Sequence, residues 1–296
     1  MRQFTERPDR SGIDGRRRTG SAGYAVMTHR MDLERYLARI GCESISIDEF
    51  DRSTVSTLQE AHLRNVPFEN FSILGGEDVE IDRHTLFEKV VDRRRGGFCY
   101  ELNTLFAWLL SELGVETTVV ECRMRRDDGT FGQPFDHMGV LVHLDGDSYL
   151  ADVGAGRFAR APLPMDGDVV SDVGGSFRVA PAEDDAYHVE VRTDGSWETK
   201  YRFTTEPRSL ADYEEMCTYH QTSSESGFTQ RLTCTKATSS GRITLSDRSF
   251  TTTERGEKHR RAVSSPAERR RIVEESFGMP AEEIPTRSFE FQPEDE

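Results

Sequence analysis

The sequence predicts an α+β fold: a helical first third, an antiparallel sheet or small barrel in the middle, and a mixed final third. Three observations carry this. Apolar residues recur at helical spacing as far as Gly114. From Val115 the segments become short and rich in Val, Tyr and Thr, and Asp-Gly pairs at Asp128-Gly129, Asp145-Gly146 and Asp194-Gly195 punctuate them as hairpin turns do. After Pro207 the helical and strand patterns alternate. With 296 residues the chain suits about two compact units at ~150 residues each, and it can bury roughly three quarters of its unfolded surface without a disulfide or metal.

Taken in order, residues 1–26 are rich in Arg, Gly, Asp and Ser, lack apolar periodicity and are expected to be disordered, with Met27 or Met31 as a possible start. The helical part, 27–114, opens with Leu33, Tyr36, Leu37 and Ile40 on one face and Gly41 as the cap. A second helix follows Ser53 with Val55, Leu58 and His62 inward, and a third follows Asp82 as N-cap, burying Leu86, Phe87 and Val90. A fourth starts near Gly97 and runs through Leu102, Leu105, Phe106 and Leu109. Strands are expected over 115–122, 137–144, 148–153, 187–192 and 198–203, within a sheet region of 115–205. The last part, 206–296, should hold a helix over 210–219, strands around 228–236 and 242–245, and a helix opened by the capping box Ser265-Pro266-Ala267-Glu268 and closed at Gly278, before a loose acidic tail.

Composition excludes whole classes of function. There are 38 basic and 53 acidic residues, a net charge of −15, and no basic stripe of the kind that holds nucleic acid. Only 4 of the basic residues are Lys and 34 are Arg, as in salt-adapted proteomes or GC-rich genomes. The longest apolar runs, such as 105–110, fall far short of the ~20 residues of a membrane span. Five cysteines, an odd number with no CxxC pair, fit neither a disulfide framework nor a zinc site and imply a reducing compartment. No apolar stretch suited to a secretory signal opens the chain, so a cytoplasmic location is expected. No histidine spacing suggests a metal; His84 and Glu88, four apart on a helix, are expected to be exposed.

The segment Arg94-Arg95-Gly96-Gly97-Phe98-Cys99-Tyr100-Glu101-Leu102-Asn103 is the most unusual. Two glycines allow a sharp turn directly into a helix, with Cys99 in its first turn. The partial positive charge of the helix start, with Arg94 and Arg95 nearby, is expected to lower its thiol pKa and make it nucleophilic. Such a nucleophile needs a base and an orienting partner. If Asp145-Gly146 forms a two-residue turn, Leu144 faces Asp147, and Asp152 becomes a diagonal neighbour of His137. That separation, ~7–8 Å at the backbone, permits an imidazole–carboxylate hydrogen bond. A one-residue slip would break the pairing.

With Val66-Pro67-Phe68-Glu69-Asn70, Asp136-His137-Met138 and Ala151-Asp152-Val153-Gly154 added, the chain resembles the arylamine N-acetyltransferases over roughly 31–278. The resemblance implies a helical bundle, a β-barrel and an α/β lid, with a cysteine-protease-like triad of Cys99, His137 and Asp152. It implies ping-pong transfer of an acetyl group from acetyl-CoA, a co-substrate and not a bound cofactor, to an arylamine or hydrazine through an acetyl-Cys99 thioester. The backbone N–H of Cys99 would help to hold the oxyanion. It also gives substrate- or CoA-binding roles to Phe68, Phe98, Tyr100, Gly154, Ala155, Gly156 and Phe228. Two positions depart from the usual pattern: Ala155 stands where relatives carry Phe, and Asp136 where they carry Thr. These changes reshape the acceptor pocket and put a carboxylate beside the base. The same triad would also serve an amide synthase, a longer-chain acyltransferase or a cysteine hydrolase.

Overall fold

The computed structural model describes residues 31–45, 51–193 and 195–291. Residues 1–26, expected to be disordered, and the last part of the acidic tail lie outside the described residues.

The helical part contains α1 (Leu33–Ile40), α2 (Arg52–Asn65), α3 (Phe71–Gly75), α4 (Arg83–Phe87) and α5 (Cys99–Glu112), with a two-residue strand β1 (Phe68–Glu69) between α2 and α3. Gly41 and Asp82 cap as expected, whereas the helix expected after Ser53 already begins at Arg52, because Asp51 caps it. Asp32, Asp51 and Asp82 accept from N–H groups of the first turn, and Gly41 ends α1 in the left-handed region at φ 77°. α5 is apolar nearly all round and, as that predicts, is buried at every position from Cys99 to Leu110. Tyr36 and Phe87 pack on its Trp108, with Tyr36 and Trp108 stacked at 6.1 Å. His84 and Glu88 are exposed.

Strands β2 (Glu116–Met124), β3 (His137–Leu144), β4 (Asp147–Ala151), β5 (Leu163–Pro164), β6 (Val170–Asp172), β7 (Gly175–Pro181), β8 (Ala186–Thr193) and β9 (Ser196–Pro207) form one antiparallel sheet. Its order is β5-β4-β3-β2-β9-β8-β7-β6, and it curls so that β5 lies beside β7, a nearly closed barrel. The β3–β4 register is the one the Asp145-Gly146 turn requires, Leu144 opposite Asp147 and Val140 opposite Ala151. Alternation sends Leu141 and Leu150 into the barrel and Val140, Val142 and Ala151 onto the helical core. The strand expected over 148–153 stops at Ala151, which frees Asp152 from the ladder.

After β9 come α6 (Glu214–Thr222) and α7 (Gly227–Gln230), then β10 (Thr233–Thr238), β11 (Gly241–Ser246), β12 (Ser249–Glu254), β13 (Glu257–Ala262) and α8 (Pro266–Ile272). Phe228, expected at the start of a strand, lies on the short helix α7 instead, because Ser226 caps it by accepting from the Phe228 N–H at 3.2 Å. β1 pairs with β10 and so joins the antiparallel sheet β1-β10-β11-β12-β13, whose apolar face packs on α8 and on the π-turn that continues α8 to Gly278.

Candidate active site

The loop before α5 owes its shape to close approach. Neither Gly96 nor Gly97 has a positive φ; Arg94 does, at 54°. A Cβ on Gly96 would stand 2.1 Å from the Pro67 carbonyl oxygen, and one on Gly97 2.8 Å from Glu101 Oε2. The glycines therefore let Pro67–Glu69 lie flush against the loop, and the Gly97 carbonyl accepts from Glu69 N–H at 2.9 Å. Glu101, at the third position of α5, accepts from Phe98 N–H at 3.0 Å and pairs with buried Lys89 at 2.7 Å. Cys99 is thereby fixed as the first residue of α5.

Arg94 and Arg95 do not act on the thiol as expected. Arg95 is fully buried and pairs with Glu69 at 3.0 Å, while its other nitrogen donates to the Glu283 carbonyl at 2.7 Å. The Arg94 carbonyl accepts from Arg39. Burial instead pushes the Cys99 thiol well above its ordinary pKa, and the carboxylates of Asp136 and Asp152 push it further; the Tyr100 N–H of the first turn opposes them. The expected lowering of the thiol pKa by the helix start is thus overridden by desolvation.

His137 opens β3, and Asp152 stands just past the end of β4. His137 Nε2 meets Asp152 Oδ2 at 2.8 Å, with both side chains buried. Tyr201 of β9 donates to the same oxygen at 2.9 Å, and Asn103 of α5 and the Gly154 N–H donate to Oδ1 at 3.0 and 2.9 Å. Burial raises the Asp152 carboxyl, but His137, Asn103 and Tyr201 together outweigh it, so its pKa falls below the ordinary value. The sequence spacing located the carboxylate but not its holders Asn103 and Tyr201. Asn103 sits one helical turn after Cys99, a signal that was readable, whereas Tyr201 comes from a distant strand.

Cys99 and His137 line one cavity of about 110 Å³ with Phe68, Met124, Asp136, Gly154, Ala155, His220 and Phe228. Among the described residues no hydrogen bond joins the thiol to the ring, whose Nδ1 is the nitrogen not engaged by Asp152. Of the substrate residues expected from sequence, Phe68, Gly154, Ala155 and Phe228 are at the cavity wall, and Gly156 lies behind Phe68. Phe98 and Tyr100 are not: both are fully buried, Phe98 against Phe228 at 5.6 Å and Tyr100 with its hydroxyl on the Phe135 carbonyl at 2.6 Å. They shape the cavity from behind because the first turn of α5 rotates them into the core. Met124 and His220 line the cavity without having been singled out in the sequence. Asp136 sits 3.7 Å from His220 Nε2, which also donates to the Asp136 carbonyl at 3.2 Å.

A thiol at a helix start and an imidazole backed by a buried carboxylate can together carry an acyl group through a thioester. Comparison with known proteins agrees with that chemistry. Residues 51–284 match the family model described as N-acetyltransferase. The chain is 33% identical over 256 residues to the arylamine N-acetyltransferase of Mycolicibacterium smegmatis, covering 84% of this chain and 92% of that protein. The structure of the Mycobacterium marinum arylamine N-acetyltransferase in complex with CoA aligns with a TM-score of 0.80 at 27% identity, over 88% of this chain and 97% of that one. A Bacillus cereus arylamine N-acetyltransferase, described as having a unique Cys-His-Glu catalytic triad, aligns at 0.78 and 25% identity, over 83% and 98%. The chain is an acetyltransferase of the arylamine N-acetyltransferase family. Among the described residues no helix is long and apolar enough to cross a membrane.

Proposed function

We propose that the chain moves an acetyl group from acetyl-CoA to an arylamine or hydrazine by a ping-pong mechanism through acetyl-Cys99. The observation that carries this is the shared cavity of Cys99 and His137, with Asp152 fixed at 2.8 Å behind the ring. Cys99 gives its thiol proton to His137 Nδ1, and the thiolate attacks the thioester carbonyl of the donor. The resulting oxyanion lies near the N–H of Cys99, which at the start of α5 has no partner within the helix. The intermediate collapses, the CoA sulfur leaves with the proton from His137, and the acetyl group remains on Cys99. An unprotonated amine then attacks the acyl-enzyme, and its proton passes to His137. Release of the Cys99 thiolate yields the amide and restores the thiolate–imidazolium pair.

Asp152 stabilises the imidazolium and holds the ring with Nδ1 toward the cavity. An anilinic nitrogen is largely unprotonated at neutral pH, so it needs no separate strong base. Five free cysteines, all buried, suit a reducing compartment, and we place the enzyme in the cytoplasm. The test is intact-protein mass spectrometry after mixing with acetyl-CoA. One acetyl increment on the Cys99 peptide, discharged far faster by an arylamine than by water, supports the reading. Absence of the adduct, or equal discharge by water alone, would overturn it.

A further inference from the structure

The cavity that holds Cys99 also holds a carboxylate that the transfer chemistry does not use. Asp152 is saturated: His137, Tyr201, Asn103 and the Gly154 N–H all meet its two oxygens, and it is fully buried. Asp136 is the opposite case. It lines the cavity with a side chain that is 19% exposed. Its Oδ2 accepts from the Met124 N–H at 3.2 Å, while Oδ1 has His220 Nε2 at 3.7 Å, too far for a hydrogen bond. A carboxylate has about four acceptor positions, so most of the capacity of Asp136 stays open.

Its charge has no counterpart in the wall. Among the described residues its one ion-pair neighbour is that imidazole, whose Nε2–H is spent on the Asp136 carbonyl. Burial lowers the His220 pKa although Asp136 opposes it, so the ring is neutral at physiological pH. The neighbouring arginines are committed elsewhere. Arg123, next to Met124, pairs with Glu121, and Arg208, over the Phe135 ring, pairs with Glu206. Arg157, two residues beyond Ala155, donates to the Gly174 carbonyl at 3.0 Å. Among the described residues no Arg or Lys lines the cavity. The charge is felt at the reaction centre all the same, because Asp136 outranks Asp152 in raising the Cys99 thiol.

The other walls suit a cation too. Phe68 and Phe228 line the cavity with ring centroids 6.1 Å apart, and aromatic faces attract positive charge. A net charge of −15 draws cations toward the molecule as a whole.

We infer that Asp136 sets the charge preference for the acceptor: the cavity takes an arylamine or hydrazine bearing a second, protonated nitrogen, which Asp136 holds while the neutral nitrogen attacks acetyl-Cys99. The inference rests on the acyl-transfer reading above. The attacking nitrogen passes its proton to His137 as already described, and the cationic group keeps its own, so the step needs no further acid or base. An arylamine bearing a carboxylate meets Asp136 with no cation in the wall to receive it, and is the disfavoured class.

The test uses acceptors of one shape and three charges: 4-aminobenzamidine, a cation; 4-aminobenzamide, neutral; and 4-aminobenzoate, an anion; with their 3-substituted isomers. Acetyl-Cys99 is formed with acetyl-CoA, and its discharge by each acceptor is followed by mass spectrometry in the wild type, Asp136→Asn and Asp136→Thr. The wild type should favour the cation over the anion, and either substitution should lower that ratio roughly tenfold or more. Comparing ratios cancels the acceptors' own nucleophilicity, and a general loss of folding or thiol reactivity slows all three alike. An unchanged ratio in both variants, or a wild type that prefers the aminobenzoate, overturns the assignment and leaves acetyl transfer standing. Without donor, 4-aminobenzamidine should protect Cys99 from iodoacetamide at lower concentration than 4-aminobenzoate, and Asp136→Asn should erase the difference. That protection pattern with no acetyl-Cys99 from acetyl-CoA would uphold the preference and refute the transfer reading.

Discussion

Gly154 packs directly on Cys99: a Cβ at that position would stand 2.7 Å from the Cys99 Cα and 2.8 Å from its carbonyl oxygen. The barrel loop and the helix that carries Cys99 thus meet backbone to backbone. The same glycine's N–H is held by Asp152 at 2.9 Å, so any displacement here reaches the carboxylate behind His137. Gly154→Ala is expected to lower kcat/KM about 100-fold, the scale of a 1 Å misplacement. Overpacking should also cost about 1–3 kcal/mol of stability. Steady-state kinetics and urea denaturation check both, and wild-type kinetics in the variant would show that the contact yields freely.

Asp152→Asn and Tyr201→Phe separate the carboxylate from its support. Replacing the carboxylate in a triad of this kind costs about 10⁴ in kcat. Tyr201→Phe removes one donor to Oδ2 and leaves the His137 bond in place, a loss of about 1 kcal/mol. The expected order is a large fall for the first variant and about tenfold or less for the second. Equal falls would mean that Tyr201, and not the carboxylate charge, holds the ring.

Asp136 raises the Cys99 thiol pKa, second only to burial. Asp136→Asn should therefore shift the pH profile of Cys99 alkylation by iodoacetamide to lower pH. The profile is measured on the free enzyme by mass spectrometry, and a shift to higher pH would contradict the electrostatic assignment.

His62 sits between Tyr36 and Phe106 at ring distances of 6.0 and 5.6 Å, and neither of its nitrogens has a hydrogen-bond partner among the described residues. Burial lowers its pKa from 6.5 to about 3. In that interval the unfolded chain binds a proton that the folded protein refuses, so stability falls as pH falls, by up to ~1.4 kcal/mol per unit. Above pH 6.5 the effect is absent. His62→Leu should remove this slope, and thermal denaturation of both proteins between pH 7 and pH 4 tests it: parallel curves would show that His62 takes up its proton in the folded state.

Much of the site was readable because short-range rules govern it. The Asp145-Gly146 turn fixes the β3–β4 register, and that register brings Asp152 to His137. The helix start at Asp82 is equally local. What stayed hidden depends on residues far apart in sequence. The thiol pKa follows from burial under Gly154 and Phe228, which no local pattern reveals. Arg95 reads as a neighbour of Cys99 but spends its charge on Glu69. Strands β1, β5 and β6 are two or three residues long, too short to show alternation, and are set by their partners.

The pairing of Phe68 with Thr235 and of Arg95 with the Glu283 carbonyl gives the molecule an order of completion. A ribosome that has delivered residues through β9 has already made the thiol, the imidazole and the carboxylate. The loop that aims the thiol still lacks its flanking strand and the backbone acceptor of its arginine until nearly the whole chain has emerged. The contacts that brace the loop before Cys99 are therefore complete only in the finished chain. For the same reason, exchanging the C-terminal sheet between homologues has to carry residues 67–75 with it, because that short stretch belongs to both halves.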